Sequence, residues 1–188
     1  MKLTEQFEKA LVYATRLHAN QVRKGTKVPY LSHLLSVAAL VIENGGDEDQ
    51  AIAALLHDAV EDQGGKPRLE EIRQMFGNKV ARIVDGCTDA YNFPKPPWRE
   101  RKENYLLRLR EEPPEVRLVS LADKVHNARS LLATLKLEGK NAWSRFNGGQ
   151  QGTIWYYKEL AREFQATGDD ALTREFSHTI SEIETLFG

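Results

Sequence analysis

Apolar residues recur at helical spacing along almost the whole chain. Thr4 stands as an N-cap, and Phe7, Leu11, Ala14 and Leu17 follow at intervals of three and four, with His18 behind them. A polar, basic loop over 18–27 interrupts and ends at Pro29. A second helix reads Leu31, Leu34, Leu35, Ala38, Val41 and Ile42, and Asn44-Gly45-Gly46 stops it. Asp47 caps a third helix, which passes Ala51, Ala54 and Leu55 and runs on through Asp62 to Gln63-Gly64-Gly65. Residues 69–76 form a short helix closed by Gly77, and 80–88 continue as another. A rigid loop with three prolines spans 92–97, and 98–110 read as a charged amphipathic helix ended by Pro113-Pro114. Pro114 suits the first turn of the next helix, which is apolar from Val116 through Leu132. Locally that run also fits a strand, but no other segment offers it a partner. Gly139 and Gly148-Gly149 bracket a loop, and helices over 153–166 and 169–187 finish the chain. The pattern holds no repeat and no hairpin, so the expectation is a single all-α domain over 1–188.

Composition narrows the class. The chain has 188 residues, 41% apolar and 28% charged, which fits one soluble globular domain with a sizeable core. A net charge of −1 and the lack of a basic helix face argue against a nucleic-acid partner. Any anionic substrate must therefore be held by local cations or a metal. A single cysteine, Cys87, rules out an intrachain disulfide and fits a reducing compartment. Glu5, Glu8 and Lys9 interrupt the first helix, so it does not read as a signal peptide, and no apolar run nears the roughly 18 residues that span a bilayer. A cytoplasmic protein without a membrane partner is expected.

The candidate chemistry centres on Leu55-Leu56-His57-Asp58-Ala59-Val60-Glu61-Asp62. On a helix of about 3.6 residues per turn, His57, Asp58 and Glu61 share one side, and Asp62 lies four beyond Asp58. Three carboxylates beside an imidazole repel one another unless a cation or proton intervenes. A metal site answers that; so does a solvated helix end with its charges in water. His33, at the start of the second helix, and Asp123, inside the most apolar helix, tip the balance. A buried carboxylate at 123 needs a partner, and two imidazoles with two carboxylates balance a divalent ion. Arg23, Lys24 and Lys27 gather three cations just before His33, and a guanidinium both stacks and donates, as a nucleotide requires.

The arrangement His33, His57-Asp58 and Asp123 resembles the signature of the HD-domain phosphohydrolases. Within them the chain is similar to the hydrolase domain of RelA/SpoT proteins and to the stand-alone small alarmone hydrolases. Four segments over roughly 5–135 carry the likeness. They are Gln21-Val22-Arg23-Lys24-Gly25 with Pro29-Tyr30 and His33; 54–62; 76–88; and 121–130, Leu-Ala-Asp-Lys-Val-His-Asn-Ala-Arg-Ser. The resemblance implies an all-helical core and Mn²⁺, or another divalent metal, on His33, His57, Asp58 and Asp123. It implies Glu61 and Asp62 as the catalytic acidic pair, Arg23 stacking on the base and Lys24 on the phosphate side. It further implies Asn127 and Ser130 near ribose and base.

The activity implied is hydrolysis of a nucleotide 3′-pyrophosphate, ppGpp to GDP and pyrophosphate, or of the adenosine forms pApp and pppApp. Another HD-type phosphohydrolase on small phosphates, or a silent nucleotide-binding module, are the alternatives. Leu34, Gln63 and Asp89 depart from the Pro, Thr and Lys that the family commonly carries at those positions. The likeness fades beyond Ser130. There Trp143 and Trp155-Tyr156-Tyr157 read as packing, with Arg145 and Tyr157 the residues able to close over a substrate.

Overall fold

The computed structural model describes residues 1–91 and 94–188. Of the proline-bearing loop over 92–97, Asn92 and Phe93 lie outside the described residues. The helices are α1 (Glu5–Leu17), α2 (Leu31–Glu43), α3 (Glu48–Leu56), α4 (Ala59–Gln63), α5 (Gly65–Cys87), α6 (Trp98–Glu111), α7 (Pro114–Glu138), α8 (Gly149–Gln165) and α9 (Ala171–Phe187). A 3₁₀ turn over Gly139–Arg145 joins α7 to α8 where the sequence pattern suggests only a loop. The architecture is all-α, with no strand among the described residues; one isolated antiparallel bridge pairs Val22 with Pro29.

The caps explain where the elements begin. Thr4 accepts from the Gln6 amide. Asp47 and Gln50 form a reciprocal capping box, each side chain taking the other's backbone N–H. Pro114 opens α7 at its first turn. Gly77 interrupts α5 with φ 89° and ψ 171°, so two helices meet there at a kink, as the glycine suggests.

One boundary differs from expectation. The third helix does not run through the octet: His57 is the C-cap of α3 and Asp58 the residue before α4. The His57 ring Nδ1 lies 2.7 Å from the Ala54 carbonyl oxygen, one of the carbonyls a helix end leaves without an amide partner. Asp58 then sits at φ −96°, ψ −3°, in the bridge region. Leu55, Leu56, Ala59 and Val60 are fully buried on either side of the break, so the apolar half of the octet packs as its pattern implies.

α7 is the spine. It packs against α2, α3, α5 and α9, and Val116, Val119, Ala122 and Ala128 lose all contact with solvent. Arg117 is buried with them and ties two helix ends together. It donates to the Leu109 carbonyl at the end of α6, to the Glu163 carbonyl of α8 and to Thr167 Oγ1. None of the described helices is long and apolar enough to cross a membrane.

Candidate metal centre

Three helical segments bring the nitrogen and oxygen donors together. His33 is the third residue of α2, His57 and Asp58 occupy the α3–α4 break, and Asp123 lies in mid-α7. His33 is fully buried, and His57 and Asp123 are nearly so. The two Nε2 atoms are 3.3 Å apart. Asp58 Oδ2 is 3.0 Å from His57 Nε2 and 3.5 Å from His33 Nε2. Asp123 Oδ1 is 3.2 Å from His33 Nε2 and 3.6 Å from His57 Nε2.

Those spacings suit a cation. Two ligands at right angles on one ion, each about 2.2 Å from it, stand about 3.1 Å apart. His33, His57 and Asp58 therefore form a group able to hold a metal ion, and Asp123 closes on the same two imidazoles. Without an ion, protons carry the balance. Burial opposes charging His57, but Asp58 and Asp123 outweigh it and push its pKa well above the ordinary imidazole value. Burial likewise works against ionised Asp58, which His57 and His33 nonetheless hold well below the usual carboxylate range. Asp123 is held low against burial by Lys124, then by the two histidines.

A ring of partners fixes these groups. The phenol of Tyr30 donates to Asp58 Oδ2 at 2.5 Å; burial and the Asp58 charge raise its pKa steeply, so it keeps that proton. Lys124 Nζ donates to Asp123 Oδ2 at 2.5 Å, and Asn127 Nδ2 donates to Asp123 Oδ1. His33 Nδ1 lies 2.7 Å from Nδ1 of His126. Burial, His33 and Arg23 lower the His126 pKa to about 4.

Glu61 and Asp62 stand one turn beyond Asp58. Lys95 Nζ reaches Glu61 Oε1 at 2.6 Å and Asp62 Oδ1 at 3.8 Å. Gln21 Nε2 donates to Asp62 Oδ2 at 2.8 Å, and Gln63 Nε2 donates to Gln21 Oε1 at 2.7 Å. Gln63, one of the family departures, thus braces the residue that holds Asp62. Burial, with Asp89 and Asp58, raises the Glu61 pKa despite Lys95. Burial and Asp58 raise that of Asp62.

Beside the centre opens a cavity of about 830 Å³, inside the range of small-ligand sites. Arg23, Lys24, Asn127 and Ser130 line it with Asp62, and so do Tyr30 and His126, which touch Asp58 and His33. Arg23 lies over the Tyr30 ring, 5.7 Å from its centroid, and donates to Asn127 Oδ1 at 2.8 Å. Lys24 donates to Asn147 Oδ1 at 2.9 Å. Lys27 is exposed and takes no part in the lining, so of the three loop cations two reach the cavity.

Sequence patterns gave no role to Gln21, Tyr30 and His126, though they lie in the segments that carry the resemblance, and missed Lys95; their roles depend on partners distant in the chain. His126 alone left a local trace, three residues after Asp123 on one helix face. Arg145, Phe146 and Tyr157 also line the cavity, whereas Trp143 and Tyr156 are buried packing. Arg145 packs on Gly25, where an added Cβ would come within 2.9 Å of its Cδ; the glycine, at φ +74°, makes room for it.

Known proteins resemble the chain in sequence and in fold. A family model described as an HD domain matches residues 10–154. Human MESH1, named a guanosine-3′,5′-bis(diphosphate) 3′-pyrophosphohydrolase, is 37% identical over 129 residues, covering 67% of this chain and 69% of its own. An Aquifex aeolicus protein of the same enzyme name is 38% identical over 129 residues, 68% of this chain; the chain spans only 18% of that relative's length. A solved metazoan ortholog of SpoT superposes with a TM-score of 0.79 over 97% of both chains at 24% identity, a likeness of fold. A crystal structure from Listeria monocytogenes EGD-e gives 0.72 over 81% of this chain and 99% of its own, at 30% identity. The chain belongs to the HD-domain family, with homology to the ppGpp 3′-pyrophosphohydrolases.

Proposed function

We propose that this protein is a metal-dependent hydrolase that removes the 3′-pyrophosphate of a nucleotide, turning ppGpp into GDP and pyrophosphate or acting on the adenosine equivalents pApp and pppApp. The observation that carries this reading is one shared wall. Tyr30 contacts Asp58 and His126 contacts His33 in the His33–His57–Asp58–Asp123 cluster, and both, with Asp62, line a cavity shared with Arg23, Lys24, Asn127 and Ser130. Mn²⁺ fits the mixed imidazole and carboxylate donors, as do other divalent ions. Similarity to MESH1 over most of that protein's length supports the substrate.

The metal, when bound on His33, His57, Asp58 and Asp123, supplies Lewis acidity: it lowers the pKa of water and polarises phosphoryl oxygens. The side chains do the rest. In the overall step water adds to the phosphorus on the ribose 3′ oxygen, the bond between them breaks, and the 3′ oxygen leaves with a proton. Glu61, held by Lys95 and kept off the ligand cluster, takes the proton from the attacking water. Burial and the Asp89 and Asp58 charges raise its pKa, the direction that makes a carboxylate a stronger base. Asp62, fixed by Gln21, orients that water. Arg23 covers the base, Lys24 meets a phosphate, and Asn127 and Ser130 meet ribose and base. Arg145 and Tyr157 border the same space and enclose the nucleotide. A nucleotide substrate and a reduced Cys87 thiol suit the cytoplasm.

The test is release of pyrophosphate or orthophosphate in Mn²⁺ from ppGpp, pppApp and ordinary mononucleotides, with the His57→Ala/Asp58→Ala double variant as control. Turnover of a 3′-pyrophosphorylated nucleotide, lost in the control, is expected. Activity on mononucleotides alone sinks the 3′-pyrophosphate reading and spares the metal centre. Glu61→Gln should retain metal while losing about two to four orders of magnitude in rate; near-normal turnover removes Glu61 as the base.

A further inference from the structure

The two metal-facing imidazoles are anchored by different means. His57 Nδ1 lies 2.7 Å from the Ala54 carbonyl, which can only accept, so a proton stays on Nδ1, Nε2 faces the cluster, and the neutral ring that a cation requires has its lone pair there. His33 has no such backbone partner. Its Nδ1 lies 2.7 Å from Nδ1 of His126, with ring centroids 4.7 Å apart, and an imidazole can play either role in that contact.

The direction of this one hydrogen bond decides whether the centre can bind a cation. If His126 donates, the proton of a neutral His33 sits on Nε2. It then points among His57 Nε2, Asp58 Oδ2 and Asp123 Oδ1, which are 3.3, 3.5 and 3.2 Å away, and the lone pair is gone. If His126 accepts, the proton sits on His33 Nδ1, and Nε2 becomes the fourth donor of the set. Two N–H groups cannot face each other at 2.7 Å, so no arrangement with both rings charged survives.

Resting on the metal reading above, we infer that His126 is a positioning residue for the metal: its Nδ1 lone pair accepts from His33 Nδ1 and locks His33 in the ligating tautomer. It reaches that place because it sits three residues after Asp123 on α7, so one helix face delivers both a metal ligand and the orienter of another ligand. Partners of this kind typically change metal affinity by about 10–100-fold.

The experiment is calorimetric titration of Mn²⁺ into the metal-stripped full chain. Its arms are the parent protein, His126→Ala, His126→Asn and the His57→Ala/Asp58→Ala control, with thermal unfolding of each stripped protein alongside. His126→Ala should bind Mn²⁺ about 10–100-fold more weakly than the parent. The Asn amide oxygen stands where the imidazole Nδ1 stood and can accept, so His126→Asn should recover affinity to within about threefold of the parent. A role limited to packing would leave Ala and Asn alike. Should the Ala variant fail to fold, the parent–Asn comparison and a His126→Leu variant, which fills space without accepting, carry the same contrast. Parent-like affinity in His126→Ala or His126→Leu, or an Asn variant as weak as these, overturns the inference while leaving the metal centre standing. A parent protein that binds no Mn²⁺ overturns both, and the parent titration alone reveals it.

Discussion

Arg23 Nη2 donates to Asn127 Oδ1 across 2.8 Å, although 104 residues separate them in the chain. Asn127 passes the contact on, because its Nδ2 donates to Asp123 Oδ1, the oxygen that faces both metal-site histidines. A single amide thus spans the cavity-lining Arg23 and the Asp123 carboxylate of the His33–His57–Asp58 group. Removing it leaves a cationic guanidinium and a buried carboxylate oxygen each short of one partner. Asn127→Ala should therefore raise the KM for substrate by about tenfold, some 1.4 kcal/mol, and weaken Mn²⁺ binding as well. Steady-state kinetics with a metal titration check this. A change in KM with unaltered metal affinity confines Asn127 to the substrate.

Tyr30 makes a second bridge. Its phenol donates to Asp58 Oδ2 while its ring lies under Arg23 and edge-on to His33, with centroids 5.4 Å apart. Tyr30→Phe keeps the ring and removes only the donor. The expected result is a loss of about 1.5–3 kcal/mol in the interaction that orients Asp58, read as a rate reduction of one to two orders of magnitude at limiting Mn²⁺. Saturating Mn²⁺ should recover part of it. A rate that is indifferent to Mn²⁺ concentration in both proteins assigns Tyr30 to substrate contact instead.

Arg117 offers a test away from the site. The residue is 8% exposed, and its guanidinium serves three oxygens at the ends of α6 and α8. Arg117→Ala leaves two backbone carbonyls and the Thr167 hydroxyl without that donor, and removes packing against Phe164 as well. The expected destabilisation is about 3 kcal/mol in urea unfolding, with Mn²⁺ affinity of the folded protein unchanged. A loss under 1 kcal/mol would mean that water replaces the guanidinium at those carbonyls.

Most helices were legible because their signals are local. Thr4, Asp47 and Pro114 mark beginnings, Gly77 a kink, and apolar spacing the buried faces. His33, His57-Asp58 and Asp123 stood out because chemistry of that kind is costly in an apolar helix without a purpose. What remained hidden was long-range. The break after Leu56 depends on a ring turning back to the Ala54 carbonyl, in a segment whose apolar pattern never falters. Lys95 meets Glu61 from 34 residues away, and Arg145 covers Gly25 from the end of the 3₁₀ turn that follows α7. Lys27 shows the opposite error: a cluster of like charges in sequence parted in space, with Arg23 and Lys24 turned to the cavity and Lys27 to solvent.

Asp47 joins the sequence signal to a measurable pH dependence. Its Oδ1 accepts the Gln50 amide at 3.0 Å, and its Oδ2 pairs with Lys79, which also lies 3.2 Å from Asp49. Burial pushes the Asp47 pKa up, but Lys79 and the capped amides outweigh it and hold it below the usual carboxylate value. A carboxyl with a depressed folded-state pKa stabilises fully above its unfolded value, about 3.9, and loses that contribution as pH falls through the folded value. At neutral pH, Asp47→Ala should lower stability by about 1 kcal/mol, the usual worth of an N-cap. Asp47→Asn keeps an acceptor and should lose only part of that. The exposed pair with Lys79 adds little and fades with salt. Urea unfolding at about pH 7 and about pH 3 should show the parent's lead over Asp47→Ala shrinking on acidification, and its lead over Asp47→Asn shrinking with it. A lead that grows on acidification reverses the sign and removes the Asp47 carboxylate as the cause.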